Sequence, residues 1–364
     1  MRKRIENNVS VSVIRVRHRL KKVGEPLCAC LSGRQGLPGR AATVGRPYEF
    51  LRQRGKGGKY FPHYGGVEKW YLFLFLVLFF LSGLPSHAAT LKMKDEVGRE
   101  VTFRFPPGRI VSLAPNITEI LFDLGLDEEI VGVSIHCNYP EKAKTKVRVG
   151  SYINVDFERI VFLKPDLIIA TGAGNTREMV ERLEKLGFST YVIFPKNLSD
   201  ILKSILHLGR VVNRGKEASR VVQEMNQRSQ RVVERAKGLP RPRVFLQIGE
   251  APIVTVGKGS FAEDILQLAG GENIASTEKE MYPRFGIEEV LKRAPEVILI
   301  SSMNPKGDYE KVLQEWSRWK MIPAVKNGRI HLINSDLIDR PSPRIIESLE
   351  EIARLLHPEL FKKN

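Results

Sequence analysis

The chain is predicted to be α/β, with two Rossmann-like lobes built on parallel sheets and joined by a long connecting helix. Three observations predict this. Residues 89–198 and 239–364 each read as a series of strands and helices. Their strands are continuous apolar runs such as "RIVSLA" and "DLIIA", which suit parallel strands covered on both faces. Between them, residues 199–238 keep helical spacing without a strand run and end at "GLPRPR". The two series also echo each other. "TEILFDLG" returns as "EDILQLAG" (263–270), and "ERIVFLKPDLIIA" returns as "EEVLKRAPEVILI". Glu158 and Glu288 each stand seven residues before a proline, Pro165 and Pro295. Two matches in the same order suggest two related lobes.

The elements follow in order. "RIVSLA" (109–114) is a strand. "NITEILFDLGL" is a helix with its apolar stripe at Ile117, Ile120, Leu121 and Leu124. Asn116 is its expected N-cap and Gly125 its expected stop. "IVGVSI" is the next strand, and "VDFERIVFL" is a short helix ended before Pro165. "DLIIA", "TREMVERLEKLG" and "STYVIF" continue as strand, helix and strand. Residues 199–238 form one long helix or two joined near "NRG". "RVFLQIG" then opens the second series.

The net charge of +17 is unevenly placed. Residues 1–66 hold 15 Lys+Arg against 3 Asp+Glu, whereas residues 89–364 hold 42 against 37. A nucleic-acid partner is therefore not expected of the folded part. Residues 67–88 contain "WYLFLFLVLFFL", twelve uncharged residues behind Lys69, followed by "LPSHAAT". That run is short of the roughly 20 residues of a membrane span. It has the size of a secretory h-region, with Ser86 and Ala88 as the small residues before a cleavage point. A cleavable signal peptide is expected, and with it a soluble exported protein. No cysteine stands near the cleavage point to accept a lipid. Residues 1–66 are basic and lack apolar periodicity. They admit two readings: a stretch upstream of a start at Val67 that is not translated, or a genuine basic tail.

After residue 88 the chain keeps one cysteine, Cys137, so an intramolecular disulfide and a paired-cysteine metal site are both excluded there. Cys137 follows His136 in "VGVSIHCNYP". Neighbours at a strand end point opposite ways, so they do not serve one metal ion or act as a Cys–His nucleophilic pair. Cys137 is expected to pack as a small buried hydrophobe. His136 is either a polar loop residue or one wall of a ligand pocket. The end of a parallel strand, where α/β sheets place ligands, favours the pocket. "TGAGNT" (171–176) is weak as a phosphate cradle, because Asn175 or Thr176 as an N-cap explains it. A metal-assisted hydrolase using His136, Asp336 and scattered histidines is a further class, but no nucleophile signature or ligand cluster supports it.

"RIVSLAPNITEILFDLGL", "VGVSIHCNYP", "ERIVFLKPDLIIA", "RVFLQIG", "LAGGENI" and "SPRII" resemble the cobalamin-binding members of the helix-linked periplasmic binding proteins of bacterial ABC importers. The same superfamily includes haem and ferric-siderophore receptors. The resemblance implies a periplasmic, monomeric binding protein and no enzyme. It would hold no permanent cofactor, capture a corrinoid in its cleft, and deliver it to a permease and ATPase at the inner membrane. It implies small lobe motions. It places His136 where the family has a tyrosine against the corrinoid, a departure that leaves an imidazole able to pack or to ligate cobalt or haem iron. Tyr152 and Tyr282 match tryptophans that cover the ligand. Asp336 and Arg340 match polar residues at the cleft rim, suited to corrinoid amides. Thr171 and Val254 replace aromatic residues, so the lining is thinner. Glu158 and Glu288 match acids that meet permease arginines; the plainer reading is two acids at helix starts.

Overall fold

The computed structural model describes residues 89–250, 252–302 and 305–361. The expected signal peptide (67–88) and the basic segment (1–66) lie outside these residues. Strands β1 (Thr90–Lys94) and β2 (Glu100–Arg104) form an antiparallel hairpin. At its tip the Asp95 carboxylate accepts from the backbone of Val97 and Arg99, and Arg99 forks back onto it.

The first lobe is then laid down by alternation. It contains β3 (Ile110–Ser112), α1 (Pro115–Asp123), β4 (Ile130–Val133), α2 (Phe157–Leu163), β5 (Leu167–Thr171), α3 (Arg177–Lys185) and β6 (Thr190–Ile193). The four strands form a parallel sheet in the order β4-β3-β5-β6. All five residues of β5 are buried, as the unbroken apolar run predicts for an inner parallel strand. Helix α1 begins at Pro115, with Ala114 rather than Asn116 as its cap. Proline's fixed φ and missing N–H suit the first helical position, and Asn116 is drawn inside and buried. Gly125 ends the helix at φ +76.

Two helices link the lobes, α4 (Leu198–Val211) and α5 (Gly215–Ala236). Asn213, at φ +57, turns the chain between them. Gly209 lets the two helices touch: a Cβ there would sit 2.4 Å from the Cβ of Ala218.

The second lobe runs β7 (Arg243–Gly249), β8 (Ile253–Thr255), α6 (Phe261–Leu268), β9 (Glu272–Asn273), β10 (Arg284–Phe285), α7 (Ile287–Arg293), β11 (Val297–Ser302), α8 (Pro305–Trp316), α9 (Pro323–Lys326), β12 (Ile330–Asn334), α10 (Ser335–Ile338) and α11 (Ile345–Leu356). Its sheet has the order β10-β8-β7-β11-β12, with β9 beside β7. The β7–β9, β7–β11 and β11–β12 pairings are parallel, whereas β8 pairs antiparallel with both β7 and β10. The sheet is thus mixed rather than wholly parallel. The link from β7 to β8 is far shorter than the dozen residues a parallel crossover needs, so β8 folds back as a hairpin arm.

The echo in the sequence is an echo in structure. Helices α2 and α7 each have seven residues, and each ends in a left-handed residue before a proline, Lys164 (φ 45) and Ala294 (φ 46). Glu158 and Glu288 are the second residue of each.

Candidate functional site

Beyond β4 the chain turns at Ile135 and His136, so the strand stops two residues earlier than its apolar run suggests. The turn separates the two residues that raised the metal question. Cys137 is buried, its sulfur 3.1 Å from the Thr118 hydroxyl and 3.2 Å from that of Ser134. Burial pushes this thiol above its ordinary pKa, against the pull of both hydroxyls. It is an inert core residue. His136 is exposed, and its ring lies 5.5 Å from that of Tyr152, tilted by 53°.

Tyr152 is held from behind by the "TGAGNT" loop. Asn175 Nδ2 donates to the Tyr152 carbonyl at 2.8 Å, while Asn175 Oδ1 accepts from the Thr171 backbone N–H at 2.8 Å. Gly174 leaves room for the ring; a Cβ there would stand 2.8 Å from Tyr152 Cδ2. Thr176 caps α3 by accepting from Met179. The loop is an aromatic mount, not a phosphate cradle. Thr171 is itself buried and Val254 half-buried.

Asp336 and Arg340 come from the other lobe, on α10 and just past it. Asn334 caps that helix by accepting from the Asp336 N–H at 2.9 Å. Arg340 Nη2 bonds Asp336 Oδ1 one turn away. Its Nη1 donates to Asn138 Oδ1 at 2.7 Å and to Glu119 Oε1 at 2.8 Å, both in the first lobe. Asn138 Nδ2 in turn donates to Asp336 Oδ2 at 2.7 Å. Arg340 also reaches the His136 carbonyl at 3.5 Å. Asp336 and Arg340 are therefore engaged across the lobes rather than standing free at a rim.

Glu119 was not singled out by the sequence, yet it is the centre of this contact. Its side chain is 1% exposed and accepts from Arg340, from Ser342 at 2.6 Å and from Arg344 at 3.5 Å. Burial raises its pKa, opposed by the bonds from Ser342 and Arg340. Arg344 also lies over the Tyr139 ring at 4.0 Å. The signal that would have found Glu119 is an acid directly beside the apolar stripe of α1. Its partner in the internal echo, Asp264, makes a matching reach and accepts from the Leu198 N–H at 2.8 Å.

Tyr282 lies just before β10. It is 40% exposed, and its hydroxyl pKa is raised by the protein crowding it and by the charge of Asp339. Asp339 accepts from Ser301 at 2.7 Å. It is reachable by solvent but surrounded by enough protein to push its pKa up to about 6. Four of the expected ligand residues are linked in the structure, Tyr152 beside His136, the His136 carbonyl near Arg340, and Arg340 with Asp336, whereas no contact joins Tyr282 to them among the described residues. Glu158 and Glu288 do not join this group. Both are exposed, and neither has an ion-pair partner among the described residues. Among the described residues no three His, Cys, Asp or Glu side chains converge to hold a metal ion.

Residues 110–337 match the periplasmic binding protein family. A vitamin B12-binding protein of Vibrio vulnificus (strain YJ016) is 33% identical over 248 residues, covering 68% of this chain and 89% of that protein. The crystal structure of the periplasmic vitamin B12 binding protein of Vibrio cholerae superposes with a TM-score of 0.63 at 32% identity, covering 71% of this chain and 99% of that one. The periplasmic heme-binding protein RhuT from Roseiflexus sp. RS-1 shares the fold, with a TM-score of 0.62 at 22% identity over 69% of this chain and 98% of its own. With its two α/β lobes and helical link, the chain belongs to the periplasmic binding protein family, in the helix-linked class of ABC-transporter substrate-binding proteins.

Proposed function

We propose that the chain captures a corrinoid, with cobalamin the first candidate, between its lobes and delivers it to an ABC permease and its ATPase. The observation that carries this is the placement of His136 and Tyr152 beside the Asp336–Arg340 pair. His136 and Tyr152 would supply apolar ring surface, and Tyr282, 40% exposed, would add a further ring. Asp336 and Arg340 offer an acceptor and a donor to the amide-bearing edge of a corrin. The vitamin B12-binding relatives support the same ligand. Residues 89–198 and 239–364 are the proposed lobes, with 199–238 as the link. Export through the signal peptide at 67–88 into the periplasm, action as a monomer without a resident cofactor, and docking through Glu158 and Glu288 complete the proposal.

Haem or a ferric siderophore is the second candidate, favoured by one observation: His136 presents an exposed imidazole able to ligate iron. Titration of the purified chain with cyanocobalamin, cobinamide, haem and ferric siderophores separates the two. Corrinoid binding at one site per chain is expected. Tyr152→Ala and Tyr282→Ala should each weaken it by about 1–3 kcal/mol through lost ring contact and burial. Clear haem binding without corrinoid binding would transfer the function to the second candidate.

A further inference from the structure

Asn138, Asp336 and Arg340 form a closed ring of side chains. Asp336 Oδ1 bonds Arg340 Nη2, Arg340 Nη1 donates to Asn138 Oδ1 at 2.7 Å, and Asn138 Nδ2 donates to Asp336 Oδ2 at 2.7 Å. A carboxylate only accepts and a guanidinium only donates, so just one orientation of the Asn138 amide satisfies both. The facing pair is a receptor for a planar group with one acceptor and one N–H donor side by side. That group is a primary carboxamide. A carboxylate in the same place would satisfy Arg340 and face Asp336 with like charge, and a hydroxyl would have to serve both from a single oxygen rather than from two separate atoms.

The receptor is held from behind by further bonds, whereas the Asn138 side chain is held only by the two bonds of the ring. Arg340 is also held by the buried Glu119 at 2.8 Å, and Asp336 begins a helix capped by Asn334. Asn138 is exposed, in a turn-rich stretch after β4. Its amide can swing into water while Asp336 and Arg340 stay in place, and the Arg340–Glu119 bond keeps the lobes joined as it does so.

We propose that Asn138 is a built-in surrogate for a ligand carboxamide: it fills the Asp336–Arg340 receptor in the free protein, and a ligand enters by replacing it with a primary amide of its own. This deepens the corrinoid proposal and rests on the ligand binding at this locus. Corrinoids carry primary amides around the ring edge. Haem carries carboxylates there and is refused by Asp336. Asn138 thereby sets both the affinity and the chemistry of what is accepted.

Two measurements test it. In the first, cyanocobalamin is titrated into the full chain and into Asn138→Ala. Removing a competitor bonded to two charged groups should tighten binding by roughly five- to tenfold. Monocarboxylate derivatives of cyanocobalamin with the receptor-facing amide hydrolysed should bind both proteins more weakly than the parent. Unchanged or weaker binding by Asn138→Ala overturns the proposal. The second needs no corrinoid. The Asn138 side-chain NH2 signals are assigned in a 15N spectrum by their loss in Asn138→Ala, and the protein is then titrated with propionamide and with propionate. Propionamide should move these signals toward the position of a solvated amide, and propionate should not. Equal effects of the two, or signals already at the solvated position, overturn the proposal. If cyanocobalamin does not bind the unaltered chain, the corrinoid proposal fails by itself, and the comparison of propionamide with propionate still decides for Asn138.

Discussion

At the scale of single residues, His136 and Asp339 carry distinct predictions. His136 stands exposed beside Tyr152, where an imidazole either lies against a flat ligand or ligates its metal. Ligation should shift the visible spectrum of aquocobalamin on binding. His136→Tyr should abolish the shift and keep much of the affinity, whereas His136→Ala should lose both the shift and some packing. Identical bound spectra for the unaltered chain and His136→Ala would remove the metal from the account. Asp339 has its pKa raised to about 6, first by burial, and Asp123 is raised to about 6 by burial and then by Glu119. A carboxyl raised on folding binds its proton more tightly in the native state. Its ionisation therefore costs stability as pH rises through 6, and the cost is absent once pH falls below the unfolded value near 4. Asp339→Asn should melt higher than the unaltered chain at pH 7.5 and level with it at pH 4. The gain should stay under about 1 kcal/mol because solvent reaches and screens the group. A gap of equal size at both pH values would show that Asp339 acts through packing instead.

At the scale of elements, the matched helices α2 and α7 are the informative pair. Each carries an exposed glutamate in its first turn, and each closes on a left-handed residue before proline. An exposed acid at a helix start is unremarkable once. Its recurrence at the same step of two lobes suits a partner with two-fold symmetry. Replacing Glu158 and Glu288 together with alanine should leave ligand affinity intact and impair uptake in cells. Each exposed pair is worth only about 0–1 kcal/mol, so the double change should exceed either single one. Normal uptake by the double variant would return both residues to ordinary helix starts. Most of this layer was legible in the sequence, because apolar runs and helical stripes are local. Three details were not. Pro115 took the first helical position and displaced Asn116 from the cap. The β1–β2 hairpin rests on only five residues of alternation in "EVTFR", buried at its second and fourth positions, too short a run to mark a strand by itself. The short β7–β8 link, which forces a hairpin arm into a sheet expected to be parallel, has no marker in hydrophobic periodicity.

At the scale of the whole molecule, the lobes meet through Glu119, and here the sequence was silent for a physical reason. The stripe rule assigns acids on an amphipathic helix to water, yet Glu119 is buried by partners 221 to 225 residues later in the chain. His136, Tyr152, Tyr282, Asp336 and Arg340 are candidates because motifs of the chain resemble those of a known family; Glu119, Asn138, Ser342 and Arg344 carry no such local mark and come together only when the lobes close. Glu119→Ala leaves Arg340 and Arg344 facing each other without the acid between them. Loss of one partner from a buried ion pair costs about 3–5 kcal/mol, so urea denaturation should show a fall of that order. A change below about 1 kcal/mol would mean that the lobes are held without this acid. The helical link adds to their constraint. Helix α5 runs 22 residues, about 33 Å at the usual rise. Near one end Arg214 pairs with Glu129 of the first lobe at 3.0 Å. Further along, Arg228 forks onto Glu350 of the second lobe at 3.0 and 2.9 Å. The link is thus pinned to one lobe at its start and to the other about two-thirds of the way along, so a rotation of the lobes against each other must strain one of these ion pairs. Under the proposed delivery to a permease, loaded and empty forms would then differ chiefly in how slowly the joint between the lobes breathes.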